Sequence, residues 1–278
     1  MRRERHLAEV SGLKFFAEVA ASDAAPAHKI VCRNENAAVM ARAAASPAFE
    51  AIELTAGSVP GVLVKRFAHD SNHIPFAAMS DVSTVEFFFD IGSPYSYLAA
   101  TQLKALSERS GVHVRWRPFL LGGVFKASGN DMPARVAAKA SYMLQDLSRW
   151  ATLYDVPFDF PPIFPLNALR TQRVLAAVGK HLGEAAVSDA ALALFEAYWV
   201  RGKDVSHDDV IRLALDAIGM DAAALLSAAD SSDVKDALRA STEEAVARGA
   251  FGAPTMFVGD AMFFGNDRLP LLERHLSR

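Results

Sequence analysis

Two serines three residues apart, Ser93 and Ser96, lie in the stretch VEFFFDIGSPYSYLAA, where an apolar run ends in an acid and a glycine and a helix-like pattern begins. A strand-to-helix turn with serine at the helix start is a place for chemistry, because free backbone N–H groups and the helix dipole favour an anion there. Cysteines at positions 93 and 96 would exchange with disulfides. A pair of hydroxyls cannot, since only a thiolate attacks and leaves readily. The single cysteine of the chain, Cys32, also excludes an intramolecular disulfide and a Cys-based metal cluster. From the local sequence, Ser93 is either a plain helix cap or a donor to a bound anion.

Other polar residues pose the same choice. Gly252-Ala253-Pro254-Thr255 puts a proline at the start of a strand. Asn266 and Asp267, in FFGND, stand where a last helix begins, as its cap or beside its anion-binding N–H groups. Lys139, taken alone, is a solvated charge. His69 and His73 have a helical metal-ligand spacing, but Pro75 is close and no third ligand is in view, so they read as loop histidines and no metal is expected.

The elements that must position these residues follow from periodicity. VEFFFDI is short, aromatic and nearly continuous, as in a strand buried on both faces. Ser93 can cap a helix over 93–109, with Pro94 at its first position, where a missing N–H costs nothing. VHVRWRPF alternates as a second strand over 112–117. Amphipathic helices fill the middle, beginning with MPARVAAKASYMLQDLSRWATLYD, whose apolar positions include Val136, Ala140, Met143, Leu144 and Leu147. PPIFPLN interrupts them, and Asn167 can cap the helix after it. Asp204 or Ser206 can cap a later one. Two short strands near 254–258 and 261–264 meet at Gly259-Asp260, before a terminal helix. The order is βαβ, helices, ββα, that of an α/β thioredoxin-like fold with a helical insertion at about 124–248. Residues 1–80 are rich in Ala, Ser and His with weak periodicity, and read as a poorly structured N-terminal extension or as the product of a start placed upstream of Met79. The main domain is expected over 81–278.

Four separated motifs of residues 84–278 resemble those of DsbA-like thioredoxin-fold proteins, and more closely the branch of 2-hydroxychromene-2-carboxylate isomerases and kappa-class glutathione transferases. They are FFFDIGSPYSYLA, WRPFLLGGVFKASGN, KASYMLQDL and GAFGAPTMFVGDAMFFGNDRL. The resemblance implies glutathione as cofactor, with Ser93 donating a hydrogen bond to its thiolate. It implies a cis bond before Pro254, and main-chain pairing of Ala253 with the cysteinyl part of the tripeptide. It places Asn130 and Lys139 on glutathione as well, and Asn266 and Asp267 at its γ-glutamyl end. For the second substrate, Arg117, Phe119, Tyr142, Trp150, Asn167 and Arg170 lie in segments expected to line the pocket. Arg170 is the first choice to meet a carboxylate, with Tyr142 and Asn167 beside it, while Trp150 and Trp199 fit core positions and Arg117 fits the outer side of its strand.

The activity so implied is a glutathione-dependent isomerisation of 2-hydroxychromene-2-carboxylate or a similar aromatic catabolite. The alternatives are a transferase that conjugates glutathione to electrophiles and a non-catalytic thioredoxin-like binding domain. Composition bounds the rest. The 278 residues are 51 % hydrophobic and 22 % charged, enough for a large core, and the net charge of −3 argues against a general nucleic-acid binder. No apolar run reaches the ~18 residues of a membrane span. The start carries Glu4, Glu9 and Glu18, which makes a poor secretory leader. A cytoplasmic protein is expected, acting on a small aromatic molecule without nucleic-acid or membrane partners, with a homodimer as one assembly.

Overall fold

Thr84–Phe89 (β1) forms the middle of a four-stranded sheet whose order is β2-β1-β3-β4, with β2 His113–Pro118, β3 Thr255–Val258 and β4 Ala261–Phe264. The structure, a computed structural model, describes residues 84–277 and, upstream, the backbone of four short strands, Arg5–Val10 paired with Leu13–Glu18 and Val31–Arg33 with Val62–Val64. The chain divides into two units, 1–77 and 78–278, and elements are numbered within the second. The expectation for residues 1–80, His69 and His73 included, falls outside the described side chains.

β1 runs parallel to β2, with Phe87 opposite Trp116, and antiparallel to β3, with Phe87 opposite Met256. Both faces of β1 are covered, so its near-continuous apolar run is required. Phe87 and Phe89 enter the larger core with Trp116, Phe195 and Leu98, while Phe88 enters a smaller one with Phe119, Val124 and Phe257. On that second side Glu86 binds Arg117 at 2.8 Å, and Arg117 lies over the Phe88 ring. Arg117 therefore faces the outer side of its strand and is not on the cavity wall described below.

Pro94–Ser110 (α1) packs on the sheet and ends at Gly111, whose φ of 68° is the left-handed conformation that glycine accepts without strain. Between β2 and β3 run seven helices: α2 Leu121–Ser128, α3 Ala137–Tyr154, α4 Leu169–His181, α5 Glu184–Trp199, α6 Asp208–Asp216, α7 Ala222–Ala228 and α8 Ser232–Ala247. A last helix, α9 Leu269–Leu276, follows the 3-10 turn Asn266–Arg268. This is the thioredoxin-like order with its helical insertion.

Local details differ from expectation. Pro133 breaks the long helix at its start, so Pro133–Arg135 forms a separate 3-10 turn and Val136 stays about half exposed, leaving the buried stripe of α3 to Met143, Leu147 and Ala151. Asp204 caps no helix: it accepts from the amide and hydroxyl of Ser206, and α6 begins at Asp208 without a side-chain cap. Asn167 Oδ1 accepts from the Leu169 amide at 3.3 Å, just ahead of α4. Gln172 on α4 is fully buried and knits the strand ends together. Its Nε2 donates to the carbonyls of Phe89 and Phe119, both at 2.8 Å, and its Oε1 accepts from the Ile91 amide at 3.4 Å. Trp199 is a core residue, fully buried, with Nε1 donating to the Ile91 carbonyl at 2.8 Å. No helix among the described residues is long and apolar enough to cross a membrane.

Candidate active site

The C-terminal end of β1 opens on a cavity of about 910 Å³, walled by the start of α1, the loops around α2, one side of α3, the segment before α4 and the turns flanking β3 and β4. Ser93 sits at its floor, 4 % exposed. Its backbone is extended (φ −96°, ψ 115°), as a capping residue requires, and Oγ accepts from the Ser96 amide at 3.2 Å. The same hydroxyl donates to the Ala253 carbonyl at 3.1 Å. Ser93 is therefore a cap and is also joined to the turn before β3. Its one proton is aimed at Ala253, and turning it toward a guest in the cavity breaks a single neutral hydrogen bond.

The Ala253–Pro254 bond is cis, as the resemblance implies, and so is Phe164–Pro165 on the opposite wall. Gly252 precedes the first of these because a Cβ there would come within 2.6 Å of the Phe264 ring. Asn130, Tyr142, Asn167, Ala253, Asn266 and Asp267 all lie on the cavity wall. Asn130 Nδ2 donates to the Phe251 carbonyl at 2.8 Å, which ties the end of α2 to the turn before β3. Asn266 is 2 % exposed, and its carbonyl accepts from the Tyr154 hydroxyl at 3.1 Å. Asp267 is exposed and pairs with its neighbour Arg268 at 2.7 Å. Pro254 is buried behind Ala253.

Lys139, Arg170 and Phe119, like Arg117, are not brought to the wall. Lys139 is exposed near the start of α3, off the lining. Arg170 points to the far side of α4, where it grips Asp208 with two hydrogen bonds of 2.7 and 2.8 Å, Asp230 at 3.0 Å and the Leu226 carbonyl at 3.2 Å. A guanidinium with four of its five N–H donors committed to Asp208, Asp230 and the Leu226 carbonyl, and off the cavity lining, is not placed to meet a carboxylate in the cavity. Phe119 is likewise fully buried in the smaller core. Trp150, by contrast, is half-buried and lines the cavity, its ring 5.2 Å from that of Tyr154.

Three groups on the wall were not singled out from the sequence. Tyr95, in the Ser-Pro-Tyr-Ser run, donates to Asp146 Oδ2 at 2.8 Å, and burial with that acid beside it pushes its hydroxyl well above the usual tyrosine range. Arg135 is the one cation among the described residues that line the cavity. Asp90 is a buried carboxylate, pushed up to about 6 by desolvation, against which hydrogen bonds from Leu121 and Gly92 act only in part. Asp90 and Arg135 each carried a faint signal: an acid ending an apolar strand, and an arginine set apart by Pro133.

The Asp90 carboxyl titrates higher in the folded chain, near 6, than its ordinary value of 3.8. Its favourable contribution is thus complete below about pH 4 and is lost as pH rises through 6. Between pH 7 and 5 the wild-type chain should gain about 1 kcal/mol of stability relative to Asp90→Asn, which has no such proton to bind. Urea denaturation of both proteins at the two pH values checks this, and parallel responses would remove the assignment.

The family model described as a DSBA-like thioredoxin domain matches residues 84–277. A 2-hydroxychromene-2-carboxylate isomerase of Sphingobium xenophagum is 37 % identical over 69 % of this chain and 97 % of its own length. Glutathione s-transferase kappa 2 of Caenorhabditis elegans is 31 % identical over 72 % of this chain and 94 % of its own. A solved structure of a 2-hydroxychromene-2-carboxylate isomerase superposes with a TM-score of 0.65 at 33 % identity, covering 70 % of this chain and 95 % of that one.

Proposed function

We propose, for a chain that belongs to the DSBA-like thioredoxin-domain family and to its branch of 2-hydroxychromene-2-carboxylate isomerases and kappa-class glutathione transferases, that it is a glutathione-dependent isomerase of 2-hydroxychromene-2-carboxylate or a similar aromatic catabolite. The observation that carries this reading is Ser93. A hydroxyl stands at the open N-terminus of α1, on the floor of a cavity large enough for a tripeptide and a second molecule, where a redox pair would have sulfur.

The donor set fits glutathione. The start of α1 and the Ser93 hydroxyl suit a thiolate. The backbone of Ala253, placed by Pro254, suits the cysteinyl peptide groups. Asn130 suits a carboxylate, and Asn266 with Asp267 suits the γ-glutamyl end, the acid meeting its ammonium. Lys139 lies outside this set. When bound, glutathione supplies a thiolate that adds reversibly to a conjugated ketone, frees rotation about the former double bond and leaves unconsumed. Ser93 holds the negative charge on sulfur, and the rings of Tyr142, Trp150 and Phe164 form an apolar wall for an aromatic partner.

Arg135 takes the part first expected of Arg170, meeting the carboxylate of the aromatic substrate beside Tyr142 and Asn167. Its one ion pair among the described residues, with Asp131 at 3.0 Å, joins two side chains that are 69 % and 61 % exposed, and such a pair is weak enough to exchange for a substrate. Arg135→Gln should raise KM for a carboxylate substrate about tenfold, the size of one charged hydrogen bond, and leave a neutral electrophile unaffected. Equal effects on both substrates would return Arg135 to the solvent.

The deciding experiment follows the ultraviolet change of 2-hydroxychromene-2-carboxylate with and without glutathione, beside conjugation of chlorodinitrobenzene. Glutathione-dependent isomerisation supports the proposal, and conjugation alone supports the transferase alternative, which the kappa-class relatives favour. Neither activity would leave a non-catalytic binding domain. A cytoplasmic location, supported by the single cysteine, and a homodimeric assembly belong to the same reading.

A further inference from the structure

Asp90 is 4 % exposed at the end of β1, three residues before Ser93, and shares the cavity floor with it. Each carboxylate oxygen accepts one backbone N–H, from Gly92 at 2.8 Å and from Leu121 at 2.9 Å. Burial and those two donors are what act on it, and no charged neighbour contributes. The other titratable side chains on the wall are Tyr95 on α1, Asp131 and Arg135 before α3, Tyr142 and Asp146 on α3, and Asp267 before α9. Of these only Arg135 is a cation, and Asp131 already engages it.

A thiolate at the start of α1 would be a second negative charge in the same low-dielectric corner. Two anions that share such a site do not both stay ionised near neutral pH; the pair holds one proton between them. The hydroxyl of Ser93 and the helix terminus favour the charge on sulfur. The buried surroundings of Asp90 favour the proton on oxygen.

We infer that Asp90 is the proton acceptor of this site: as glutathione binds, its S–H bond breaks, the electron pair stays on sulfur and an O–H bond forms on the Asp90 carboxylate. Net charge and oxidation state are unchanged, and no co-reactant is needed. The assignment rests on the glutathione reading above.

Calorimetric titration of the full-length protein with glutathione, at about pH 7.5 in three buffers of different ionisation enthalpy, counts the protons exchanged with solvent. Absorbance near 240 nm reports the thiolate. The expected result is a full thiolate signal with close to zero protons released. Release of about one proton per glutathione with that signal would overturn the inference, since the proton then went to solvent, and so would binding without a thiolate. Absence of binding heat would remove the glutathione reading itself, and the inference with it. In Asp90→Asn the thiolate signal should either disappear or be matched by about one released proton. A full signal with no release would name another acceptor and overturn the inference. Should that variant fail to fold, the wild-type proton count alone decides.

Discussion

Activity at neutral pH should fall tenfold or more in Ser93→Ala, and part of it should return at alkaline pH. A charge-assisted hydrogen bond to a thiolate contributes roughly 1.5–3 kcal/mol. Its loss should raise the titration midpoint of bound glutathione by about one to two pH units, at ~1.4 kcal/mol for each. Affinity for glutathione should change little, because on the proposed reading Asn130, Ala253, Asn266 and Asp267 hold other parts of the tripeptide. The structure adds a second effect. Ser93 Oγ also accepts from the Ser96 amide, so the variant loses a helix cap and about 1 kcal/mol of stability. That loss does not depend on pH and cannot mimic a moved midpoint. Ser96→Ala is the control, since its hydroxyl oxygen is buried without a partner among the described residues and its removal should spare both activity and stability. An unchanged midpoint at 240 nm in Ser93→Ala, with activity retained, would reduce Ser93 to a cap.

Gln172→Leu should destabilise the fold by roughly 2–4 kcal/mol, since it strands the buried Phe119 carbonyl and Ile91 amide and takes one of two donors from the Phe89 carbonyl, which keeps the Phe119 amide at 3.1 Å. The carbonyls belong to Phe89 and Phe119, at the ends of the two parallel strands, and the amide to Ile91, between Asp90 and the turn that carries Ser93. A loss of that size is a large part of the total stability of an ordinary domain. Urea denaturation measures it. A change below about 1 kcal/mol would mean that these strand ends are held by packing alone.

The strands and α1 were legible because each has a local cause: a doubly covered aromatic run, a Ser-Pro start and a glycine stop. The same holds for Ser93, Ala253 and Asn266, which belong to short contiguous motifs. Gln172 was not legible, because ALRTQRVLAAV gives no hint that its polar atoms turn inward to a strand 83 residues away in sequence. Arg170 misled for a related reason. The acids that occupy it, Asp208 and Asp230, belong to α6 and beyond, and only the packed insertion brings them to it. The buried state of Asp90 likewise depends on Leu121, which arrives from 31 residues further along the chain to donate to its carboxylate. Local patterning fixes elements, whereas the ionic and hydrogen-bonding state of a side chain is set by what arrives from elsewhere in the chain.

The central strand carries a further consequence, for synthesis. Phe87 pairs on one side with Trp116, which follows soon after, but on the other with Met256, about 170 residues downstream. At ribosomal speeds of roughly 5–20 residues per second, that edge of an aromatic strand waits on the order of ten to thirty seconds for its partner. During that interval the nascent chain exposes a hydrophobic template to its neighbours, and Ala253, which closes the site over Ser93, has yet to emerge. The yield of native protein should therefore depend on chaperones that shield this edge until the last two strands are made.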